Sequence, residues 1–459
     1  MEGSSHTVNI GDTLQLTPVT NGTMEEVYSW KSSDPKIASI NRAGQVFGWS
    51  KGEAVITVST TSGLSAQCTV TVTGEPSVQD PDKTATVTDG YASNNHSLND
   101  YAIWSKTVNS YLIPNADGTF TRVEHCGGKM IVENYSAAGK KTGSKTVAME
   151  LSLFGGFYSG SDHNYFVFGQ ANPNDSDEEE VMRIVKYSKD FQRIGAVSVY
   201  GANTNIPFEA GSLRMTETAG KLYIHTCHEM YTDSDGLNHQ ANMTFVINEN
   251  DMSVEQSYYD VLNLAQAGYV SHSFNQFIKT ENNHIIAVDH GDAYPRSIAL
   301  IEYPSDFTGG KFVSNLSWKD SCKVTNLFTM SGGTGNNYTG VSVGGFEITD
   351  KAYIVTANSI DQEKFSNDIR NVYVLGKNKT DGSTISNKIT DYTDVSASTP
   401  YLVKIENNKY MVIWEVAKEG KVYYTYIDGA GTQTSDIKSI NGKLSDCQPI
   451  VYNGTVVWY

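Results

Sequence analysis

The chain has 459 residues and a formal net charge of −17, with 51 acidic against 34 basic side chains. That balance excludes the clustered lysines and arginines that phosphate backbones require, so nucleic acid is not expected as a partner. An apolar fraction of 39%, 40 glycines and 27 tyrosines fit a turn-rich all-β protein, and no run of about 18 apolar residues offers a membrane span. The start, MEGSSHTVN, lacks the regions of a signal peptide, which at face value reads as cytoplasmic; the domain content below makes it instead the expected trimmed end of a mature exported chain. Five cysteines (Cys68, Cys126, Cys227, Cys322 and Cys447) lack CxxC spacing, so free, core-packed thiols are expected in place of a zinc or redox motif.

In chain order, VNIGDTLQLTPV, YSWKSSDPKIASINRAGQVFGWSKGEAVITVSTT and SAQCTVTVTG alternate apolar and polar residues over positions 7–73. This predicts a small β-sandwich. The segment resembles the bacterial immunoglobulin-like domain of group 2. The likeness is carried by Trp30, the Ser32–Pro35 turn, the strand Ile37-Ala38-Ser39-Ile40, Gly44, Gly48, Gly52 and the closing TVTV. It implies a bacterial protein outside the cell, since such domains act as spacers in surface adhesins and secreted enzymes. The unit is expected over 1–74, followed by an aperiodic Pro-, Asp-, Thr- and Ser-rich linker over 75–89.

From residue 90 to 459 the chain repeats one pattern: a β-rich run, a tight polar turn and a second β-rich run. The copies are SYLIPNADGTFTRVEH, FGGFYSGSDHNYFVFG, SLRMTETAGKLYIHTC, SFNQFIKTENNHIIAVD, GGFEITDKAYIVTAN, YLVKIENNKYMVIWE and QPIVYNGTVVWY. Most are followed by two more β-rich stretches. A four-stranded unit at this period predicts a seven-bladed β-propeller. The last hairpin has no outer strands of its own, so part of 85–109, or chain beyond Tyr459, is expected to complete it. YYDVLNLAQAGY (258–269) reads as a connection with a helical turn. Motifs such as SHSFNQF, VDHGDAYPRS and LSDCQPIVYNG resemble an uncharacterised propeller family in surface proteins of gut Firmicutes. That resemblance implies location and architecture, with no activity attached.

Eight of ten histidines lie between residues 125 and 290, several at equivalent places in the repeat. Glu124-His125, His225-Thr-Cys-His228-Glu229 and Asp289-His290-Gly-Asp292 end second strands, while His272, Asn275 and Gln276 enter a first strand. In a propeller these positions share a face, so they are expected on one rim of the channel over blades one to four. Imidazole with carboxylate suits a transition metal, general acid–base work or a polar ligand pocket. Polar plugs that satisfy strand-end backbone are the structural alternative. Tyr294 and Arg296 add an aromatic platform and a forked donor to the string VDHGDAYPRS, which equally reads as a proline turn.

Glu347 is expected to point into the channel. Two acidic loops, 172–180 and 233–238, offer oxygens for calcium or are solvated hairpin tips. SGGTGNNYTGVSVGGF lacks the GK[ST] of a phosphate loop and reads as a turn-rich loop over the channel face. Sialidase and WD40 signatures are absent. Three functions stay open: a monomeric cell-surface binder of a glycan or host protein in a Gram-positive bacterium; a secreted polysaccharide hydrolase or lyase; and a structural surface component.

Overall fold

The computed structural model describes residues 4–9, 13–19, 28–40, 44–48, 51–60, 63–74, 84–86, 107–126, 128–258, 269–303, 322–336, 338–365, 369–452 and 455–459. Among them every regular element is a β-strand except one 3-10 turn, Ala417–Glu419. The all-β expectation therefore holds. Among the described residues no helix is long and apolar enough to cross a membrane. The expected linker, apart from Thr84–Thr86, and the expected helical turn over 259–268 lie outside the described residues.

The N-terminal strands form two sheets. Ser5–Asn9, Ser65–Thr73, Gly52–Thr60 and Tyr28–Ser32 make one, in that order; Thr13–Gln15, Gln45–Gly48 and Ala38–Ile40 make the other. Period-two alternation turns Ala54, Ile56 and Val58, and Cys68, Val70 and Val72, to the inside. They meet Val8, Leu16, Ala38 and Val46 in one apolar core, with Trp30 packed against it. Gly44, at φ +79°, is required there: a Cβ would lie 2.5 Å from the Leu16 carbonyl oxygen and 2.9 Å from the Trp30 ring.

Six further sheets follow, the third of them nine-stranded and divided at the Ala241–Ser271 pair into two units, so that seven units, numbered as sheets one to seven, stand in order. The first comprises Ser110–Pro114, Phe120–Cys126, Lys129–Tyr135 and Lys141–Val147; the second Leu153–Ser159, Asn164–Gly169, Glu180–Tyr187 and Arg193–Tyr200. The third holds Arg214–Thr218, Lys221–Thr232, Asn238–Asn248 and Ser253–Tyr258, with Thr204–Pro207 added against the end of its second strand. The fourth holds Ser271–Glu281, His284–Tyr294, Ser297–Glu302 and Lys323–Thr329; the fifth Val341–Ile348, Ala352–Ser359, Asn371–Asn378 and Thr384–Lys388. The sixth holds Tyr401–Glu406, Lys409–Val416, Lys421–Ile427 and Lys438–Asn441. In the seventh, the hairpin Ile450–Tyr452/Thr455–Trp458 accepts Thr84–Thr86 as a parallel third strand. A segment that precedes the other six units thus joins the last one; it lies in the expected linker and overlaps the expected closing stretch 85–109 only at Ala85 and Thr86.

The first strand of each sheet touches those of its neighbours from the second sheet to the seventh, and the seventh touches the first. Tyr111 rings against Phe154 and Phe157 complete the circuit between sheets one and two. A separate apolar cluster fills each junction, from the Phe-rich one between sheets one and two to the Trp458-centred one between six and seven. Middle strands such as Ala352–Ser359 are buried along their whole length, whereas the outer strand Lys141–Val147 is almost wholly polar and wet. Cys68, Cys227, Cys322 and Cys447 are buried free thiols, and Cys126 is half-buried.

Candidate functional site

Sheets three and four carry unusually long strands of 12, 11, 11 and 11 residues, and they join through the pair Ala241–Ser271. The extra length carries most of the residues that the sequence marks, and it buries His225, His228, Gln276, Asp289, His290 and Asp292. His225 sets Nε2 2.9 Å from Asp289 Oδ2 and Nδ1 2.7 Å from Thr244 Oγ1. Ser273 Oγ donates to Asp289 Oδ1 at 2.5 Å, Asn242 Nδ2 to Oδ2 at 3.1 Å, and Gln276 Nε2 to Ser273 Oγ at 2.8 Å. Gln276 Oε1 in turn accepts the Ser212 amide at 2.8 Å. His225, Ser273, Gln276 and Asp289 are all 0% exposed. The carboxylate has both oxygens filled by neighbours, so this network ties two sheets together and leaves a ligand nothing to bind.

The other marked residues scatter, which corrects the expectation of a single open rim. His228 Nδ1 lies 2.7 Å from Thr204 Oγ1, whose own proton goes to the Ala202 carbonyl. Nδ1 must therefore donate, leaving Nε2 a bare, buried acceptor with no hydrogen bond. Burial holds this ring neutral, with its pKa pushed down to about 3. His290, held by Thr339 Oγ1 at 2.9 Å and edge-on to Phe274, is pushed to about 3 by burial and then by Arg370 and Arg296. His125 is half-buried against Phe154, 3.1 Å from Asn109 Oδ1, and burial lowers its pKa.

Asn275 donates to the Val343 carbonyl, and Glu347 pairs with Lys279 at 3.0 Å instead of standing free in the channel. Arg296 pins the 331–338 loop through the carbonyls of Ser331, Asn336 and Tyr338 and also holds that of Asp292, so its fork is spent on backbone. Burial, then Glu209, raises the pKa of Glu229.

One marked pair does face outward. His272, 28% exposed, sets Nδ1 3.0 Å from Oδ1 of the fully buried Asp292, whose Oδ2 makes no hydrogen bond. His272 holds a left-handed φ of +52°, strain of the kind that accumulates at working sites. Tyr294 is 46% exposed at the end of the same strand that carries Asp292.

A second polar cluster escaped the sequence reading. Tyr111, Arg214 and Tyr401 sit on the first strands of sheets one, three and six, and Asp446 lies just before sheet seven. Sheets one, three and six are not neighbours, so groups from them act on one another only across the centre of the circuit. The Arg214 charge acts on Tyr111, Tyr401 and Asp446. Its guanidinium lies 4.9 Å over the Phe277 ring and donates to the Leu213 carbonyl at 3.3 Å. Among the described residues no carboxylate comes within ion-pair distance of it.

The buried Tyr111 hydroxyl and Asp446 Oδ1 make no hydrogen bond, while Asp446 Oδ2 accepts the Asn109 amide at 2.8 Å. Burial raises Asp446 to about 7 and Glu124 to about 7. Arg122 beside them is committed to Glu124 at 2.7 Å and Glu133 at 3.2 Å, beneath the Tyr459 ring. The signal available in the sequence was an arginine on an inner strand (SLRMT), where strand-end histidines drew the eye instead.

The two acidic loops use their oxygens on turns. Asp175 accepts Asn205 Nδ2 and the Thr232 amide, Asp177 accepts the Tyr231 hydroxyl, and Asp235 accepts the Leu237 amide and His239. Among the described residues no three His, Cys, Asp or Glu side chains converge to hold a metal, so the calcium expectation gains no support. A cleft of about 550 Å³ between the outer strands of sheets four and five is lined by Phe328, Tyr373 and Tyr392. Its polar groups are mutually engaged, as in the Lys388–Asp391 pair and the Thr390 bond to Asn371. The Tyr111 hydroxyl and Asp446 Oδ1, by contrast, are unbonded groups beside Arg214 at the centre of the circuit.

No family model matches the chain. It is 39% identical over 72 residues to lacto-N-biosidase of Bifidobacterium bifidum, a match spanning 16% of this chain and 6% of that enzyme. Among solved structures, a polysaccharide lyase of family PL25, an ulvan lyase, superimposes with a TM-score of 0.46 at 9% identity, over 79% of this chain and 88% of that one. An uncharacterised Listeria monocytogenes protein gives 0.40 at 9% (76% and 87%), and the Cellvibrio cellulosa α-L-arabinanase 0.31 at 8% (62% and 90%). These scores are too low to transfer a function.

Proposed function

We propose that this is an extracellular or cell-surface glycan-binding protein of a Gram-positive bacterium, with a seven-bladed β-propeller over 90–459 and a group 2 immunoglobulin-like spacer over 1–74. Seven sheet units joined by seven apolar junctions support the ring, and a two-sheet core around Trp30 supports the spacer. The observation that carries the binding reading is the central cluster: an arginine over an aromatic ring, beside a tyrosine hydroxyl and a carboxyl oxygen without partners. Buried polar groups are rarely left unbonded, and sugars supply hydroxyls and apolar ring faces to fit such a place. The test is a glycan array probed with the whole chain, alongside mucins and immunoglobulins. Retention of one glycan class supports the reading; binding only to proteins, or to nothing, sinks it.

The His272–Asp292 pair favours a second reading, a polysaccharide-processing enzyme. A buried carboxylate that engages Nδ1 of a partly exposed imidazole leaves Nε2 for general-base work, with Tyr294 paired to the neighbouring Ser271 in the strand register. Asp292→Asn removes that orientation. If the pair is catalytic, turnover of a susceptible polysaccharide falls on the order of a hundredfold or more while binding persists; intact turnover excludes the role.

A further inference from the structure

We propose that the Arg214 guanidinium seats an oxyanion, the carboxylate or sulfate ester of an acidic sugar, so that the glycan bound at the centre is an anionic one. This rests on the binding reading above. Arg214 is half-buried, its charge acting on Tyr111, Tyr401 and Asp446, and no carboxylate stands within ion-pair distance among the described residues. Its remaining donors are therefore open to an arriving anion. Its planar fork carries five N–H donors, and one of them reaches the Leu213 carbonyl. Phe277 holds the guanidinium 4.9 Å from its ring centre. The Tyr111 hydroxyl, buried and unbonded, is a further donor in the same space.

Arg122 does not compete for the ligand, because Glu124 and Glu133 hold it. The net charge of −17 opposes an approaching anion, but at physiological salt that field decays over about 8 Å. Selection is therefore local. Asp446 shares the space, faced by Arg122, Arg214, Glu124, Cys447, Tyr111 and Tyr401. Because burial lifts its carboxyl to about 7, it is largely protonated below neutrality and then donates to an anion instead of repelling it. Acidic glycans accordingly bind more tightly at pH 6 than at pH 8.

The test is calorimetric titration of the full chain with pectate, alginate and chondroitin sulfate tetrasaccharides, each against its carboxyl-reduced or desulfated counterpart. An acidic member is expected to bind more tightly than its neutral form. Arg214→Gln should weaken that acidic member about 10–100-fold, the worth of charge-assisted hydrogen bonds, and leave the neutral form unchanged. The carboxylate and sulfate arms identify which anion is seated. Thermal melting checks that Arg214→Gln folds, and Tyr111→Phe serves if it does not. Equal affinity for acidic and neutral forms, or undiminished acidic binding in the variants, overturns the anion seat and leaves the glycan reading standing. Absence of binding to every tetrasaccharide, acidic and neutral, overturns both.

Discussion

Asp289 and Arg214 are charged side chains drawn away from bulk water, and the fold treats them in opposite ways. Around Asp289, between sheets three and four, His225, Ser273 and Asn242 fill both carboxylate oxygens. Around Arg214, at the centre of the circuit, Tyr111 and Asp446 keep atoms unbonded, and no carboxylate stands within ion-pair distance of the guanidinium among the described residues. A saturated network specifies structure, whereas an unsaturated one implies a missing partner. Burial alone therefore does not mark a site; unspent hydrogen-bonding capacity does.

The largest effect expected from breaking this contrast is at Asp289. Asp289→Ala leaves His225 Nε2, Ser273 Oγ and Asn242 Nδ2 buried without their acceptor, and should cost about 3–5 kcal/mol. Urea denaturation reads this directly. A loss below about 1 kcal/mol would show that the network is not structural.

pH separates the regions next. His228 and His290 are held neutral with folded pKa values of about 3, below the unfolded value of 6.5. The unfolded chain binds more protons between those limits, so stability is lost as pH falls from about 6.5 toward 3. At pH 4 each ring contributes on the order of 3 kcal/mol of that loss. His290→Gln, which keeps a partner for Thr339, should flatten the profile below pH 6; an unchanged profile would mean that the ring is not held neutral.

Asp446 carries the opposite sign. Its folded pKa of about 7 stands above the unfolded 3.8, so its stabilising contribution is complete below about pH 4 and fades as pH rises through 7. Asp446→Asn keeps an acceptor for the Asn109 amide and removes the charge. It should stabilise the protein at pH 8 on the order of 2 kcal/mol, after allowance for water in the channel, and do nothing at pH 4. A uniform shift across pH would place the cause in packing rather than titration.

Strand periodicity, polar turns and the seven hairpins were legible because each follows from local alternation and turn chemistry, as Ala54-Val55-Ile56 and Asn407-Asn408 illustrate. The completion of the last hairpin was legible from its missing partners. The fate of the histidines was not. His225 and His228 stand at a strand end only if the strand is short, and in sheet three it runs on to Thr232. Nothing local signals that extension. The central cluster was hidden for a different reason: Tyr111, Arg214, Tyr401 and Asp446 meet only once sheets one, three, six and seven surround a common centre. Inner-strand residues on such a ring need the register of the whole circuit before their neighbours can be named.

The smallest effect is the one that separates a site from a scaffold most cleanly. The Tyr111 hydroxyl makes no hydrogen bond, yet its ring packs against Phe154 and Phe157. Tyr111→Phe keeps the ring and deletes a buried hydroxyl that has no side-chain partner and only the Phe157 backbone near it. Stability should stay within about 1 kcal/mol, because the hydroxyl loses at most a weak contact with the Phe157 backbone while its burial cost disappears. Affinity for the acidic tetrasaccharide should nevertheless fall, since the atom's partner arrives with the ligand. A structural tyrosine gives the reverse pattern, with stability lost and affinity kept, so paired melting and titration of one conservative variant decide which region Tyr111 belongs to.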